Sequence, residues 1–347
     1  MRDSGQLLQI VHEGMVKAGL DVAAVYLRLG YDAEKLALRD LRTPHQQQVF
    51  FWSTIESVTK DPEVGLHLCP HLPVFRGEVL EYLMFSSRTF GEGLSRSLKY
   101  LRLISDAINV RLVVDGQGAR MAVVSTAVDA PQLRHTEICV VYELIQFAKA
   151  VTEDRFKASR VLLRCSQRAP QADFDKVFAS PVEFGSRESE IWFDPALLDL
   201  ASPHSDPDLL LLHEGLAEKR LMKLKREDLV ERIRGVFAQR LELENCDLED
   251  VAKELDIPPR RLRFELARAG TSFSQILADF RFHLAKRLLA KTDEAIENIV
   301  YLTGFSEPST FYRAFKRWSG QTPVQYRESR RARRAGAAGA AAPAARK

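Results

Sequence analysis

The chain has 347 residues, 46% of them apolar and 28% charged, a globular balance that excludes a wholly disordered polymer and suggests about two domains. No run approaches 18 consecutive apolar residues, so no membrane-spanning helix is expected. The formal net charge is only +3, yet residues 241–347 hold 19 Lys and Arg against 14 Asp and Glu, a balance of +5, and the remainder comes to −2.

In chain order, the first two hundred residues predict a mixed α and β domain. Leu7, Leu8, Val11 and Met15 recur at helical spacing. Thr43-Pro44 reads as an N-cap followed by proline at the first helical position, opening a helix through Phe50, Phe51, Ile55 and Val58. A further helix is expected from about Phe90 to Ala107, with Leu94, Leu98, Leu101 and Ile104 on one side. The period then changes to two. Val110, Leu112 and Val114 alternate, Asp115-Gly116-Gln117-Gly118 turns, and Met121, Val123 and Ser125 run back as a hairpin. Ile138 to Val151 predicts a buried helix; Arg160 to Cys165, Val182 to Phe184 and Ile191 to Phe193 predict short strands. After a loop over Ser202 to Pro207, Leu209, Leu212, Leu216, Leu221, Leu224 and Val230 mark one or two charged helices bridging to the C-terminal part of the chain.

Residues 247–326 hold one motif twice, offset by 48 to 50 positions. In the first copy Asp247 can cap a helix whose core face is Leu248, Val251, Ala252 and Leu255, with Asp250 in the positive first turn. Asp256-Ile257 breaks it, and Pro258-Pro259 opens a second helix with Leu262 and Leu266 facing inward. In the second copy Ile296, Ile299 and Val300 match the first helix, Gly304 makes the turn, Ser306 can cap, and Phe311 and Phe315 match Leu262 and Leu266. Gly270 and Gly320 close the two copies. Helix, tight turn, helix is the helix-turn-helix unit, and two copies in register are far more specific than one. The outward stripes are Arg260, Arg263 and Phe264 in the first copy, and Ser309, Tyr312, Arg313 and Lys316 in the second. Such a helix fits the major groove, where Arg can pair bidentately with guanine and Phe can meet only a thymine methyl or sugar. The amphipathic stretch from Phe273 to about Ala290 between the copies spans roughly 27 Å as a helix, near the ~34 Å between successive major-groove faces.

Ile299, Gly304-Phe305-Ser306, Phe311, Arg313 to Trp318, Gly320, Pro323 and Tyr326-Arg327 resemble the C-terminal signature of the AraC/XylS family of bacterial transcription regulators, and Gly270 to Phe273 with Arg281 resemble its connecting segment. Less specifically, residues from about Asp21 to Asp208 resemble the arabinose-binding-type effector and dimerisation domain of the family's ornithine-utilisation-regulator-like branch. The residues that carry this are Gly77 to Leu80, Leu94, Tyr100, Val182 to Gly185 and Leu197 to Asp199. The resemblance implies a sequence-specific regulator that binds double-stranded DNA, usually an activator recruiting RNA polymerase under control of a small-molecule effector. By it, Arg260, Arg263, Phe264, Ser309, Tyr312 and Arg313 occupy base-facing positions, and Lys316 is read as a phosphate contact. The chain departs from the family pattern at Phe264, where a polar or basic residue is usual, at Asp256 for a customary glycine, and at Val300 for a small alanine.

Other chemistry is poorly supported. His67-Leu68-Cys69-Pro70-His71 has metal-like residue types but reads more simply as a loop after a helix, so no metal is expected. Cys69, Cys139, Cys165 and Cys246 are far apart without a CxxC pair, which fits buried thiols in a reducing cytosol. The N-terminus lacks a basic region followed by an apolar core, so no secretory signal is expected. No GxSxG, P-loop or GxGxxG occurs, nor the Pro-Cys-His-Arg motif of the repair alkyltransferases fused to some relatives of this module, so neither an enzyme nor a cofactor is expected.

The expected architecture is an α+β effector and dimerisation domain over 1–205 and a helical linker over 206–240. An all-α domain with two helix-turn-helix motifs joined by a long helix comes next over 241–329, then a disordered Ala/Arg-rich tail over 330–347. The expected function is a cytoplasmic, nucleoid-associated, homodimeric activator; the alternative is a ligand-independent architectural DNA-binding protein. The effector and its contact residues are not fixed by the sequence.

Overall fold

The chain begins with a short strand, β1 (Arg2–Ser4), whose last side chain accepts from the Gln6 amide and so caps helix α1 (Gly5–Lys17). The computed structural model describes residues 1–30, 42–75, 78–125, 132–239 and 246–340, with side chains as far as 332. Gly77, Glu242 and Glu244 lie outside the described residues. The chain divides into two compact units, Met1–Leu221 and Met222–Lys347.

In the first unit α1 buries Leu8, Val11 and Met15, the expected stripe. Helix α2 (Val22–Leu29) is next, and then strand β2 (Arg42–Pro44), which pairs antiparallel with β1. The cap expected at Thr43-Pro44 is therefore a strand, and helix α3 (Gln47–Thr59) begins beyond it. Proline lacks an amide donor and is tolerated at the end of an edge strand. Phe51 and Ile55 of α3 are buried while Phe50 faces out.

Two short helices come after it, α4 (Val64–Leu68) and α5 (Val79–Ser86), then α6 (Phe90–Leu98). The helix expected to reach Ala107 stops at Leu98, because β1 claims the residues beyond. The Ser4 amide donates to Ile104 O at 2.7 Å, the Asp106 amide to Arg2 O at 3.0 Å, and Ser105 Oγ to the buried Asp3 carboxylate at 2.6 Å.

The hairpin stands where the alternation put it. Strand β3 (Ile108–Asp115) pairs with β4 (Gly118–Ser125), Asp115 opposite Gly118, and the Asp115 carboxylate accepts the Gln117 amide in the turn. Helix α7 (Leu133–Val151) buries Ile138, Val141 and Ile145 in the core formed with strand β5 (Ala158–Leu163), helix α8 (Gln171–Phe178), strand β6 (Val182–Phe184) and strand β7 (Ser189–Phe193). The sheet order is β3-β4-β7-β5-β6. Among the described strands only β5 and β6 pair in parallel, as the crossover helix α8 between them requires.

The stretch expected as a linker is one helix, α9 (Pro207–Gln239). Ala217 and Leu221 pack with Val79, Leu83 and Tyr100 of the first unit, while Ile233, Val236 and Phe237 enter a core of the second. The second unit continues with α10 (Leu248–Glu254), α11 (Pro259–Arg268), α12 (Phe273–Lys291), α13 (Ile296–Leu302), α14 (Pro308–Ser319) and α15 (Pro323–Ala340). Its two motifs share α12, which gives Ile276 to the first core and Ala285 and Leu289 to the second. The tail expected to be disordered from 330 continues α15 to Ala340, consistent with the high helix propensity of Ala and Arg; residues 341–347 lie outside the described set.

Asp256 makes the first motif's turn with φ 54°, where the second uses Gly304 at 78°. A left-handed backbone is costly for most L-residues. Asp256→Gly is expected to raise stability by about 1 kcal/mol and Asp256→Val to lower it, measured by urea unfolding.

Candidate nucleic-acid interface

The two motifs repeat down to single hydrogen bonds. The Ile257 amide donates to Ala252 O at 2.9 Å, and the Phe305 amide, at the matching place in the second copy, donates to Val300 O at 3.1 Å. Asp247 caps α10 as expected, its carboxylate accepting the Asp250 amide at 2.8 Å. Ser306 does not cap α14; the cap position is Glu307, because Pro308 takes the first helical place where a missing amide costs nothing.

Leu262 and Leu266 of α11 and Phe311 and Phe315 of α14 are buried. At 3.6 residues per turn, their burial leaves the other faces in solvent. Arg260, Arg263 and Phe264 are exposed on α11; Ser309, Arg313 and Lys316 are exposed on α14. Tyr312 is only half-buried, leaning on Phe311 with ring centroids 6.0 Å apart. Among the described residues Arg260, Arg313 and Lys316 hold no hydrogen bond or ion pair, so their donors are available to a polyanion. Arg263 differs: its guanidinium donates to the Glu249 carboxylate on α10. Phe264 is 58% exposed, with the Arg268 guanidinium 5.6 Å from its ring centre. Neither Glu249 nor Arg268 stood out in the sequence, because each gains meaning only from the neighbour the turn brings to it.

The residues with metal-like types diverge. His67 is half exposed and pairs with Asp61 at 2.6 Å, while Cys69 is buried with its thiol on Gly65 O at 3.2 Å. The four cysteines carry no disulfide.

The first unit contains a second candidate site, a cavity of about 140 Å³ bounded by α1, α3, α5, α6, α7 and the β3–β4 hairpin. Its walls are almost wholly aliphatic and aromatic. Glu143 of α7 stands among them, its Oε2 accepting the Phe75 amide at 3.2 Å, and burial pushes its carboxyl up to about 7. Its signal in the sequence was a lone acid in the apolar run Val140, Leu144 and Phe147.

Residues 19–202 match the family model described as the arabinose-binding domain of AraC transcription regulator, N-terminal, and residues 251–329 match a helix-turn-helix domain. The chain is 27% identical over 333 residues to the ornithine utilization regulator of Pseudomonas aeruginosa, covering 92% of this chain and 97% of that protein. Over 80 residues it is 39% identical to the urease operon transcriptional activator of Escherichia coli, covering 23% of this chain and 27% of the other. The solved structure of the transcriptional regulator CdpR from Pseudomonas aeruginosa is 20% identical with a TM-score of 0.40, covering 82% of this chain and 93% of that one. Among the described residues no helix is long and apolar enough to cross a membrane.

Glu249→Gln removes the acid that holds Arg263 and is expected to raise affinity for duplex DNA by about two- to fivefold, the scale of an exposed ion pair, in a fluorescence-anisotropy titration. Glu143 keeps its proton to about pH 7 in the folded chain, but only to about 4.3 when unfolded. Folding takes up a proton between those values, so stability falls as pH rises through that window. Thermal melts of wild type and Glu143→Gln should match near pH 4 and diverge by pH 8, with the wild type melting lower.

Proposed function

Because the chain belongs to the AraC family of transcription regulators, we propose that it is a sequence-specific activator controlled by a small organic effector. The observation that carries the DNA reading is the pair of exposed guanidiniums, Arg260 and Arg313, unpartnered among the described residues, on the matching helices of two motifs. Each such group can pair bidentately with guanine in the major groove, worth roughly 1–3 kcal/mol of discrimination. The 19 residues of α12 give a rod of about 28 Å, suited to reading successive major-groove faces from one side of the duplex.

In this reading Arg260, Arg263, Phe264, Ser309, Tyr312 and Arg313 face bases and Lys316 meets phosphate. Arg263 leaves Glu249 at small cost, since exposed pairs are weak, and Phe264 packs on a thymine methyl or sugar. The cavity supports the effector half of the proposal over an architectural binder that answers to no ligand: apolar walls with few polar groups are what a small-molecule site needs. The proposed assembly is a homodimer. Leu209, Leu212 and Leu216 lie exposed at helical spacing on α9, an apolar stripe suited to a second copy of the same helix, whereas α7 spends its apolar face on the core. Activation then proceeds through contact with RNA polymerase, on DNA in the cytoplasm.

The test is a gel-shift assay on a site selected from a random duplex library. Arg313→Ala should weaken binding to the selected site by roughly ten- to a hundredfold and leave random DNA nearly unaffected. Lys316→Ala should weaken both and reduce the salt slope by about one. An absence of preference for the selected site over random competitor overturns the reading.

A further inference from the structure

We propose that the cavity of the first unit takes a small amine, an apolar body about the bulk of a benzene ring carrying one ammonium group received by Glu143. The inference rests on the effector-binding reading above and names the ligand class.

The volume sets the size. A dry engineered cavity of about 150 Å³ binds benzene, and this one measures about 140 Å³. Trp52, Phe75, Met84, Phe90, Leu94 and Phe147 are among its walls, so most of the occupant must be apolar.

The polar groups set the chemistry. Ser97 Oγ donates to Leu80 O at 3.0 Å, and Ser105 Oγ donates to the Asp3 carboxylate at 2.6 Å. Gln48 Nε2 donates to the same carboxylate at 3.3 Å, Thr136 Oγ1 accepts from Trp52 Nε1 at 2.8 Å, and the Cys139 thiol donates to Gly65 O at 3.5 Å. Each of these atoms already has one partner within the protein. Glu143 Oε1 has none: it is shut away from solvent and has no hydrogen-bond partner among the described residues.

An unmet buried acceptor costs free energy that a donor recovers, and an ammonium gives the stronger, charge-assisted bond. Among the described residues no Lys, Arg or His lines the cavity, so none of them would receive a carboxylate ligand there, and Glu143 would repel it once ionised. A neutral hydrocarbon gains the walls but leaves Oε1 unmet. An amine satisfies both.

The experiment is calorimetric titration of the full-length protein at pH 8 with four probes built on one ring: benzylamine, benzyl alcohol, toluene and benzoate. Benzylamine is expected to bind at least about tenfold more tightly than the alcohol or toluene, a step typical of one charge-assisted hydrogen bond, and benzoate not at all. In Glu143→Gln, benzylamine should fall to the level of toluene while toluene is unchanged. Benzylamine binding no better than toluene, or benzoate binding as well as benzylamine, overturns the amine assignment and leaves the effector cavity standing. Binding of none of the four overturns both. The wild-type series decides the matter even if the variant does not fold.

Discussion

Burial of two side chains one turn apart, Leu262 with Leu266 and Phe311 with Phe315, is the constraint on which the DNA-binding unit depends. A helix anchored by residues four apart cannot rotate about its axis without exposing one of them, so its opposite face is fixed as firmly as its core. The second anchor is heavily aromatic: Phe282, Phe305, Phe311, Phe315 and Tyr326 meet edge-on or tilted, with ring centroids 5.5–5.8 Å apart. Chemistry on the outside of α11 and α14 is thus a consequence of packing on the inside. Because α12 feeds both cores, its sequence must satisfy two packing problems at once.

A comparable economy holds α3 and α4 to α7 in the first unit, by charge instead of oil. Arg134 and Glu63 form a bidentate pair at 2.6 Å, both nearly out of solvent. Beside them the Gly65 amide donates to His135 Nδ1, which leaves Nε2 to carry the proton toward Glu56 at 2.6 Å. Burial holds that imidazole below its usual pKa, so it serves as a neutral bridge. Buried pairs of this kind add little net stability, but losing one partner strands a charge. They fix where α7 lies, and with it where Glu143 stands.

Periodic features were legible in the sequence because their cause is local. The hairpin of β3 and β4, the buried helix α7 and the doubled motif all arise from spacing along the chain. So does the outward placement of Arg260, Arg313 and Lys316. What could not be read depends on distant partners. Thr43-Pro44 resembles a helix start until β1 pairs with it, and residues 101–107 look helical until Asp3 and Ser4 bind them instead. Ser306 loses the cap to its neighbour because Pro308 sets the start of α14. Helices α2, α4, α5 and α8 are too short to declare a period. The Arg263–Glu249 pair joins residues on two helices, and no spacing rule links them.

That pair has a thermodynamic consequence of its own. DNA affinity draws much of its strength from cations shed by the duplex when positive side chains neutralise phosphates. In the proposed reading Arg263 arrives already neutralised by an internal rival, so the entropy it releases is partly cancelled by the acid it abandons. On that reading the first motif gains less than the second from indiscriminate attraction to any duplex, and its share of the binding would be weighted toward the few sequences whose base edges reward the exchange.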